Sequence, residues 1–105
     1  MTIKQMRLNF KNPKDSPLNL MRRAGYGFAG QDEATGELNF TRHLSGGDYP
    51  RFHAFIKSDG DFVFVNLHLD QKKPSYRGAR AHSGEYEDSA LLEKEAGIIK
   101  KVFSD

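Results

Sequence analysis

The sequence predicts an α+β fold, in which an antiparallel sheet of four to five strands carries a short N-terminal helix and a longer C-terminal helix on one face. Three observations indicate this fold. Apolar and polar residues alternate in several short segments, as they do in half-buried strands. The links between the middle segments are short, which favours antiparallel pairing. Near the C-terminus the apolar residues follow the helical period instead.

The first quarter of the chain predicts one strand and one short helix. Lys4 to Phe10 alternates in hydrophobicity and is expected to form a strand. Ser16 followed by Pro17 is typical of a helix start, because serine caps free backbone N–H groups and proline fits the first turn. The helix would run from Leu18 to Ala24 and stop at Gly25, a residue type common just after a helix.

The middle of the chain predicts three or four further strands. Tyr26 to Gly30 is a short candidate, and Glu37 to Leu44 alternates clearly. Arg51 to Lys57 and Phe62 to Leu69 lie on either side of Asp59-Gly60. That dipeptide between two β-rich runs indicates a two-residue hairpin turn, since both turn positions tolerate positive φ.

The Asp59-Gly60 turn sets an expected register for this hairpin. The buried face would hold the apolar pairs Phe52–Leu67, Ala54–Val65 and Ile56–Val63. The opposite face would pair Arg51 with His68, His53 with Asn66 and Phe55 with Phe64. If Leu38 points into the core as well, Asn39, Thr41 and His43 join this second face. A water-facing sheet surface does not need aromatic and cationic residues, so this face suggests a function.

The last third of the chain predicts a long basic loop and a helix within the same single domain, residues 1–105. The loop would span about residues 70–87, and loops of this length in small domains are usually functional or disordered. Its cations are Lys72, Lys73, Arg77 and Arg80. Asp88 or Ser89 would cap a helix that runs to about Phe103.

Composition excludes several classes of function. The chain has no cysteine, which excludes disulfides, thiolate metal sites and thiol nucleophiles. No apolar stretch approaches the ~18 residues of a membrane span, and the first residues carry charge where a secretory signal needs an apolar run. We therefore expect a soluble, cytoplasmic protein. The formal net charge of +2 is too small to indicate nucleic-acid binding by itself.

RNA binding is the first functional hypothesis, because aromatic rings stack on bases and cations hold phosphates. The expected RNA-binding residues are Phe55, Phe64, Lys72, Lys73, Arg77 and Arg80. Metal-free ribonuclease activity would extend this function without any cofactor. It needs a base for the 2′-hydroxyl, an acid for the leaving oxygen and a cation for the transition state. We assign these roles to His53, His68 and Arg51 in that order.

Two alternatives use the same residues. The aromatic face could be the interface of a protein-interaction module, either a regulatory subunit or a homodimer. The histidines could also bind a metal such as zinc, with Asp70 adding an oxygen ligand, although their spacing matches no compact ligand motif.

The central region resembles the HicA-type toxins of bacterial toxin–antitoxin systems. Arg42, Gly46-Gly47 and His53 resemble the arginine, glycine and histidine around the active site of that family, and Val65 to His68 followed by Lys72 resembles a later strand-end pattern. The resemblance implies a double-stranded-RNA-binding-domain-like fold and a catalytic histidine, here His53, in an mRNA-cleaving enzyme. The chain departs from the family pattern by a strand before the first helix and by Asp48 to Phe52 between the glycines and His53.

Overall fold

The computed structural model describes residues 5–71 and 81–104, with the side chains of 81–88 left aside. It contains five strands and two helices in these residues. In chain order they are β1 (Gln5–Lys11), α1 (Pro17–Arg23), β2 (Gly27–Gln31), β3 (Leu38–His43), β4 (Arg51–Asp59), β5 (Phe62–Asp70) and α2 (Ala81–Ser104). Within the described part of the chain, no helix is long and apolar enough to cross a membrane.

The strands form one antiparallel sheet in the order β1-β5-β4-β3-β2. The four strands β2 to β5 are neighbours in both sequence and space, as short connections favour. The first strand is the exception, since it lies beside β5 at the edge of the sheet. The predicted α+β class, the antiparallel sheet and the two helices packed on it are confirmed.

The β4–β5 hairpin turns one residue later than expected. Gly60 and Asp61 are the central turn residues, and Asp59 pairs with Phe62. Gly60 has a φ of 61°, and glycine with positive φ at the first central position is the pattern of a type II′ turn. The pairing is therefore shifted by two residues along one strand. Because side chains alternate with a period of two, this shift changes the partners and leaves the two faces intact.

The shift overturns the expected cross-strand pairs on both faces. On the face that carries the histidines, Arg51 pairs with Asp70, His53 with His68, Phe55 with Asn66 and Lys57 with Phe64. On the buried face, Phe52 pairs with Leu69, Ala54 with Leu67 and Ile56 with Val65. The expected proximity of Arg51 to His68 as direct partners is therefore wrong, whereas His53 and His68 are direct partners.

The first helix, Pro17–Arg23, lies one residue earlier than expected. The Ser16 hydroxyl accepts a hydrogen bond from the Asn19 N–H at 3.2 Å, and Pro17 occupies the first turn. Ala24 is the C-cap, and Gly25 follows it with a φ of 95°, a conformation that residues with a Cβ rarely adopt.

The second helix begins earlier than the sequence predicts. It starts at Ala81, before the expected caps Asp88 and Ser89, so part of the expected loop 70–87 is helical. The apolar period does not reveal this first segment, because it becomes visible only from Leu92 onward. The loop's other end also differs, since Asp70 belongs to β5. The cations Lys72, Lys73, Arg77 and Arg80 lie outside the described residues.

The core lies between the sheet and the two helices. The buried side chains from β4 and β5 are Phe52, Ala54, Ile56, Val63, Val65 and Leu67, as predicted. They pack with Leu92, Ala96, Ile99 and Phe103 from α2 and with Leu20 and Met21 from α1. Phe103 also stacks on Phe10 of β1, with ring centroids 4.5 Å apart. The helices therefore cover one face of the sheet only.

A buried carboxylate links the second helix to the sheet. Glu95 is 2% exposed and is the one buried charged residue in the described chain. Both of its oxygens accept hydrogen bonds from Arg42 of β3, Nε at 2.8 Å and one terminal nitrogen at 2.6 Å. The Tyr26 hydroxyl donates a third bond at 2.7 Å. Every polar contact that the carboxylate needs is thus supplied by residues distant in sequence.

This network raises the pKa of two of its members, Tyr26 and Arg42. Burial, and then the hydrogen bond to Glu95, raise the pKa of Tyr26 well above its usual range, so the hydroxyl stays a donor. The hydrogen bond to Glu95 also raises the pKa of Arg42. The Arg42 guanidinium lies 5.4 Å from the centre of the Phe52 ring, which adds a cation–π contact to the ion pair.

We predict that Glu95→Gln lowers the free energy of unfolding by about 3 kcal/mol, because a buried charge pair is broken and Arg42 loses its counter-charge. Glu93→Gln is the matched control, since Glu93 is exposed on the same helix and its change should stay within about 0.5 kcal/mol. Denaturant unfolding of the parent and both variants measures the difference. Equal stability of the two variants would show that the network does not hold the helix in place.

Candidate nucleic-acid interface

The sheet surface opposite the helices is here named the open face. Its side chains follow from the register, because directly paired residues point to the same side. They are Gln5, Arg7, Asn9 and Lys11 from β1, Asn39, Thr41 and His43 from β3, Arg51, His53, Phe55, Lys57 and Asp59 from β4, and Phe62, Phe64, Asn66, His68 and Asp70 from β5. The predicted placement of Asn39, Thr41 and His43 beside the histidines is confirmed.

The centre of the open face is an aromatic cluster. The His53 and Phe55 rings stack with centroids 4.2 Å apart and planes at 27°. The His68 and Phe55 rings are nearly perpendicular, with centroids 5.3 Å apart and planes at 85°. His53 and His68 are direct cross-strand partners. All three side chains are half-buried, so each ring keeps part of its surface accessible.

A second aromatic pair lies nearer the hairpin turn. Phe62 and Phe64 stack with centroids 6.0 Å apart and planes at 18°. Each is 41% exposed, which is high for a side chain of this size and hydrophobicity. These two nearly parallel and exposed rings form an apolar platform on the open face, separate from the His53–Phe55–His68 cluster.

Asp70 contacts two neighbouring side chains of β4, His53 and Arg51. Its Oδ2 lies 3.3 Å from His53 Nδ1 and 3.6 Å from Arg51 Nε. The Arg51 guanidinium also lies 4.8 Å from the centre of the Tyr49 ring. These contacts hold Arg51 at the end of the hairpin, two positions along the strand from His53.

Both ring nitrogens of His53 face oxygen acceptors. Nδ1 faces the Asp70 carboxylate, and Nε2 lies 3.2 Å from Asn39 Oδ1. The orientation of the Asn39 amide is fixed because its Nδ2 donates to the Gly30 carbonyl at 3.4 Å. Both contacts to His53 are hydrogen bonds only when both nitrogens carry a proton. Two oxygen acceptors are therefore in place to receive hydrogen bonds from the His53 ring.

His68 has the opposite environment. Burial is the main influence and lowers the pKa of its imidazole below the ordinary 6.5, and the nearby His53 acts in the same direction. The negative charge of Asp70 opposes this effect without reversing it. The two paired histidines therefore lie in different surroundings.

Cations outnumber acids on the described open face. Arg7, Lys11, Arg51 and Lys57 carry positive charge there, whereas the acids are Asp59 and Asp70, and Asp70 is held between His53 and Arg51. Such a surface attracts anions. A nucleic acid is an anion that also carries flat rings, its bases.

The structure brings most of the predicted site residues together. His53, His68, Phe55 and Arg51 lie in one cluster, and Phe64 lies on the same face beside Phe62. The four predicted loop cations lie outside the described residues. In the described ranges 5–71 and 81–104, no three His, Cys, Asp or Glu side chains lie where they could hold a metal ion.

Sequence reasoning missed three contributors to this face. Phe62 has the same strand parity as Phe64, and that signal was sufficient to place it. The partnership of Asp70 with His53 required the correct hairpin register. The position of Arg7 on this face follows only from the pairing of β1 with β5, which no local sequence pattern predicts.

The sequence matches no known protein family and no curated protein. The resemblance to HicA-type toxins thus stays a prediction from residues, and the function is argued from the open face itself.

We predict that stability falls as the pH drops below about 6.5, partly because of His68. The unfolded chain binds a proton to this residue near its ordinary pKa of 6.5, whereas burial lowers the pKa in the folded state. The unfolded state therefore gains more protons in the window just below pH 6.5. His68→Gln should reduce the loss of unfolding free energy between about pH 7.5 and about pH 5.5. An unchanged slope in the variant would contradict the assignment.

Proposed function

We propose that the open face binds single-stranded RNA. The observation that carries this proposal is the Phe62–Phe64 pair, two stacked and exposed rings on a face that also presents cations. A base stacked on an aromatic side chain contributes about 1–3 kcal/mol, and every base offers such a surface. Unpaired bases have free faces for stacking, whereas bases inside a duplex do not, so a single strand is the better ligand.

The cations surround this platform on adjacent strands. Lys57 pairs directly with Phe64 across β4 and β5, and Phe62 lies between Lys11 of β1 and the acid Asp59 of β4. Arg51 lies at the far end of β4 beside the histidine pair. An RNA strand that crosses the sheet from the hairpin turn toward His53 would bring its phosphate backbone near a cation at each stacked base. This arrangement supports phosphate contacts along the whole path.

A protein-interaction module is the second candidate, and the exposed aromatic pair would suit it equally. The surrounding charge favours RNA, because the centres of protein interfaces are depleted in charged residues. The salt dependence of binding separates the two, since release of counterions from phosphates makes RNA affinity fall steeply with salt.

We predict that a labelled uridine-rich RNA of about ten nucleotides binds with steep salt dependence. Replacing Phe62 and Phe64 together by serine should weaken binding at least tenfold, because the stacking of one to two bases is lost. Phe28→Ser is the matched control: Phe28 is 50% exposed but lies on the helix side, beside Phe40. Fluorescence anisotropy measures the affinities.

The charged residues give an independent arm of the same experiment. Lys57→Gln should lower the salt slope by about one, as expected for one lost phosphate contact. Neutralising Lys72, Lys73, Arg77 and Arg80 tests the sequence-based part of the hypothesis in the same way. An equal loss of affinity in Phe28→Ser and in the double serine variant would contradict RNA binding through the open face, as would an absence of binding at low salt.

Metal-free RNA cleavage is the extension of this proposal that the HicA-type resemblance suggests. The contacts of the two histidines favour one assignment of roles. Both ring nitrogens of His53 face oxygen acceptors, so this residue would serve as the acid. Burial lowers the pKa of His68, so it would serve as the base. This assignment reverses the roles inferred from the sequence and keeps Arg51 as the cation beside the pair.

We predict that His53→Ala and His68→Ala each reduce RNA cleavage by about 10²–10⁴-fold while RNA affinity is retained, because each removes one proton-transfer group. His43→Ala is the control, since His43 lies on the open face but contacts the Gly47 carbonyl instead of the cluster. Cleavage should be bell-shaped in pH and insensitive to chelator. Activity that survives both alanine variants, or that disappears with chelator and returns with zinc, would contradict the scheme.

A further inference from the structure

The first strand forms a long and regular edge of the sheet. Among the described residues, β1 pairs with β5 on one side and with no strand on the other. All seven of its residues pair with β5 without a shift in register. The opposite edge is different, because β2 has five residues and a register shift between Phe28 and Gly30. Bulges and short lengths are how proteins prevent edge strands from pairing, and β1 has neither.

The direction of the free backbone groups on β1 follows from one hydrogen bond. The Asn12 N–H donates to the Asp61 carbonyl at 2.7 Å, so the Lys11 carbonyl, which belongs to the same planar peptide unit, points away from β5. Alternate residues of a strand point their backbone groups to opposite sides. Arg7, Asn9 and Lys11 therefore direct their N–H and C=O groups outward, away from the sheet. Their side chains lie on the open face.

A groove runs along this edge between β1 and the last turns of α2. It is lined by Arg7, Leu8, Asn9, Phe10, Lys100 and Ser104. The helix-side wall includes the apolar Leu8 and the half-buried Phe10, while Lys100 is exposed at the rim. An added strand would therefore find backbone partners at the edge, cations on one side and apolar surface on the other.

The charged side chains of β1 determine which kind of strand can pair with its outer edge. No acidic residue occurs between Gln5 and Lys11, and both charged residues of the described strand, Arg7 and Lys11, are cationic. Two copies of this chain pairing through β1 would gather four such cations on one face without an acid, which is unfavourable. An acidic extended segment has the complementary charge, so Arg7 and Lys11 attract it.

We propose that the outer edge of β1 binds an extended acidic peptide of another protein as a sixth strand. Its acidic side chains alternate on the open-face side, beside Arg7 and Lys11, and its apolar side chains enter the groove beside Leu8 and Phe10. Main-chain hydrogen bonds to Arg7 and Asn9 provide affinity that does not depend on the peptide's side chains, and the alternation provides specificity. This site does not require that the open face binds RNA.

The test uses a short synthetic peptide that alternates glutamate and valine, titrated into the full chain. A matched peptide carries N-methyl groups on the backbone nitrogens of its valines, and a second carries lysine in place of glutamate. A third, with N-methyl groups on the glutamate nitrogens, covers the opposite orientation of the backbone. The glutamate peptide should bind and should slow hydrogen exchange of the Arg7 and Asn9 amides. The lysine peptide and one of the two methylated peptides should bind at least about tenfold more weakly.

Protein variants check the location. Arg7→Glu with Lys11→Glu should weaken binding of the glutamate peptide by about tenfold or more. Arg22→Glu is the control, because Arg22 is an exposed cation on α1, which contacts β2 at the opposite edge of the sheet, and binding should change less than about threefold. Equal binding of all the glutamate peptides, or equal effects of the edge and control variants, would show attraction by charge alone and overturn the proposal. So would unprotected Arg7 and Asn9 amides in the complex.

Discussion

The fold depends on how one buried charge is satisfied. Glu95 lies on the apolar stripe of α2, where an unpaired carboxylate would cost more than the burial of a neighbouring leucine contributes. Arg42 of β3 supplies two of its three hydrogen bonds, and Tyr26, in the segment after α1, supplies the third. Hydrophobic burial is not directional, so it would let α2 slide or rotate on the sheet. The bidentate ion pair fixes one position, and that position keeps both helices on the same face.

The open face is a consequence of this arrangement. With α1 and α2 on one side, the alternation of every strand sends its second set of side chains to the other side. A sheet face without a covering layer normally carries polar residues, and here it carries two exposed phenylalanines and a paired set of histidines. Exposed rings of this size lower solubility and gain nothing for the fold. Exposed apolar patches of this kind mark interaction sites on many proteins.

The sequence predicted what depends on period and local chemistry. Alternation identified the strands and the two faces, and Ser16 with Gly25 marked the first helix. The hairpin partners were wrong because Asp59-Gly60 and Gly60-Asp61 are both acceptable turns, and a two-residue shift leaves the hydrophobic pattern unchanged. The start of α2 was missed because its first turns lack an apolar period. The Glu95 network and the position of β1 beside β5 join residues far apart in the chain, so local patterns could not reveal them.

The position of β1 has a second consequence, because it brings the edge and the open face into contact. Arg7 pairs with Asn66 and Lys11 pairs with Phe62, so both edge cations also border the aromatic surface. A ligand that neutralises them at the edge reduces the positive field over the open face, since charges within about 10 Å still interact at moderate salt. The two surfaces are therefore coupled by shared charge even if their ligands never touch. Coupling of this kind is reciprocal: an anion held by Arg7 and Lys11 on the open face must weaken an acidic strand at the edge by the same factor.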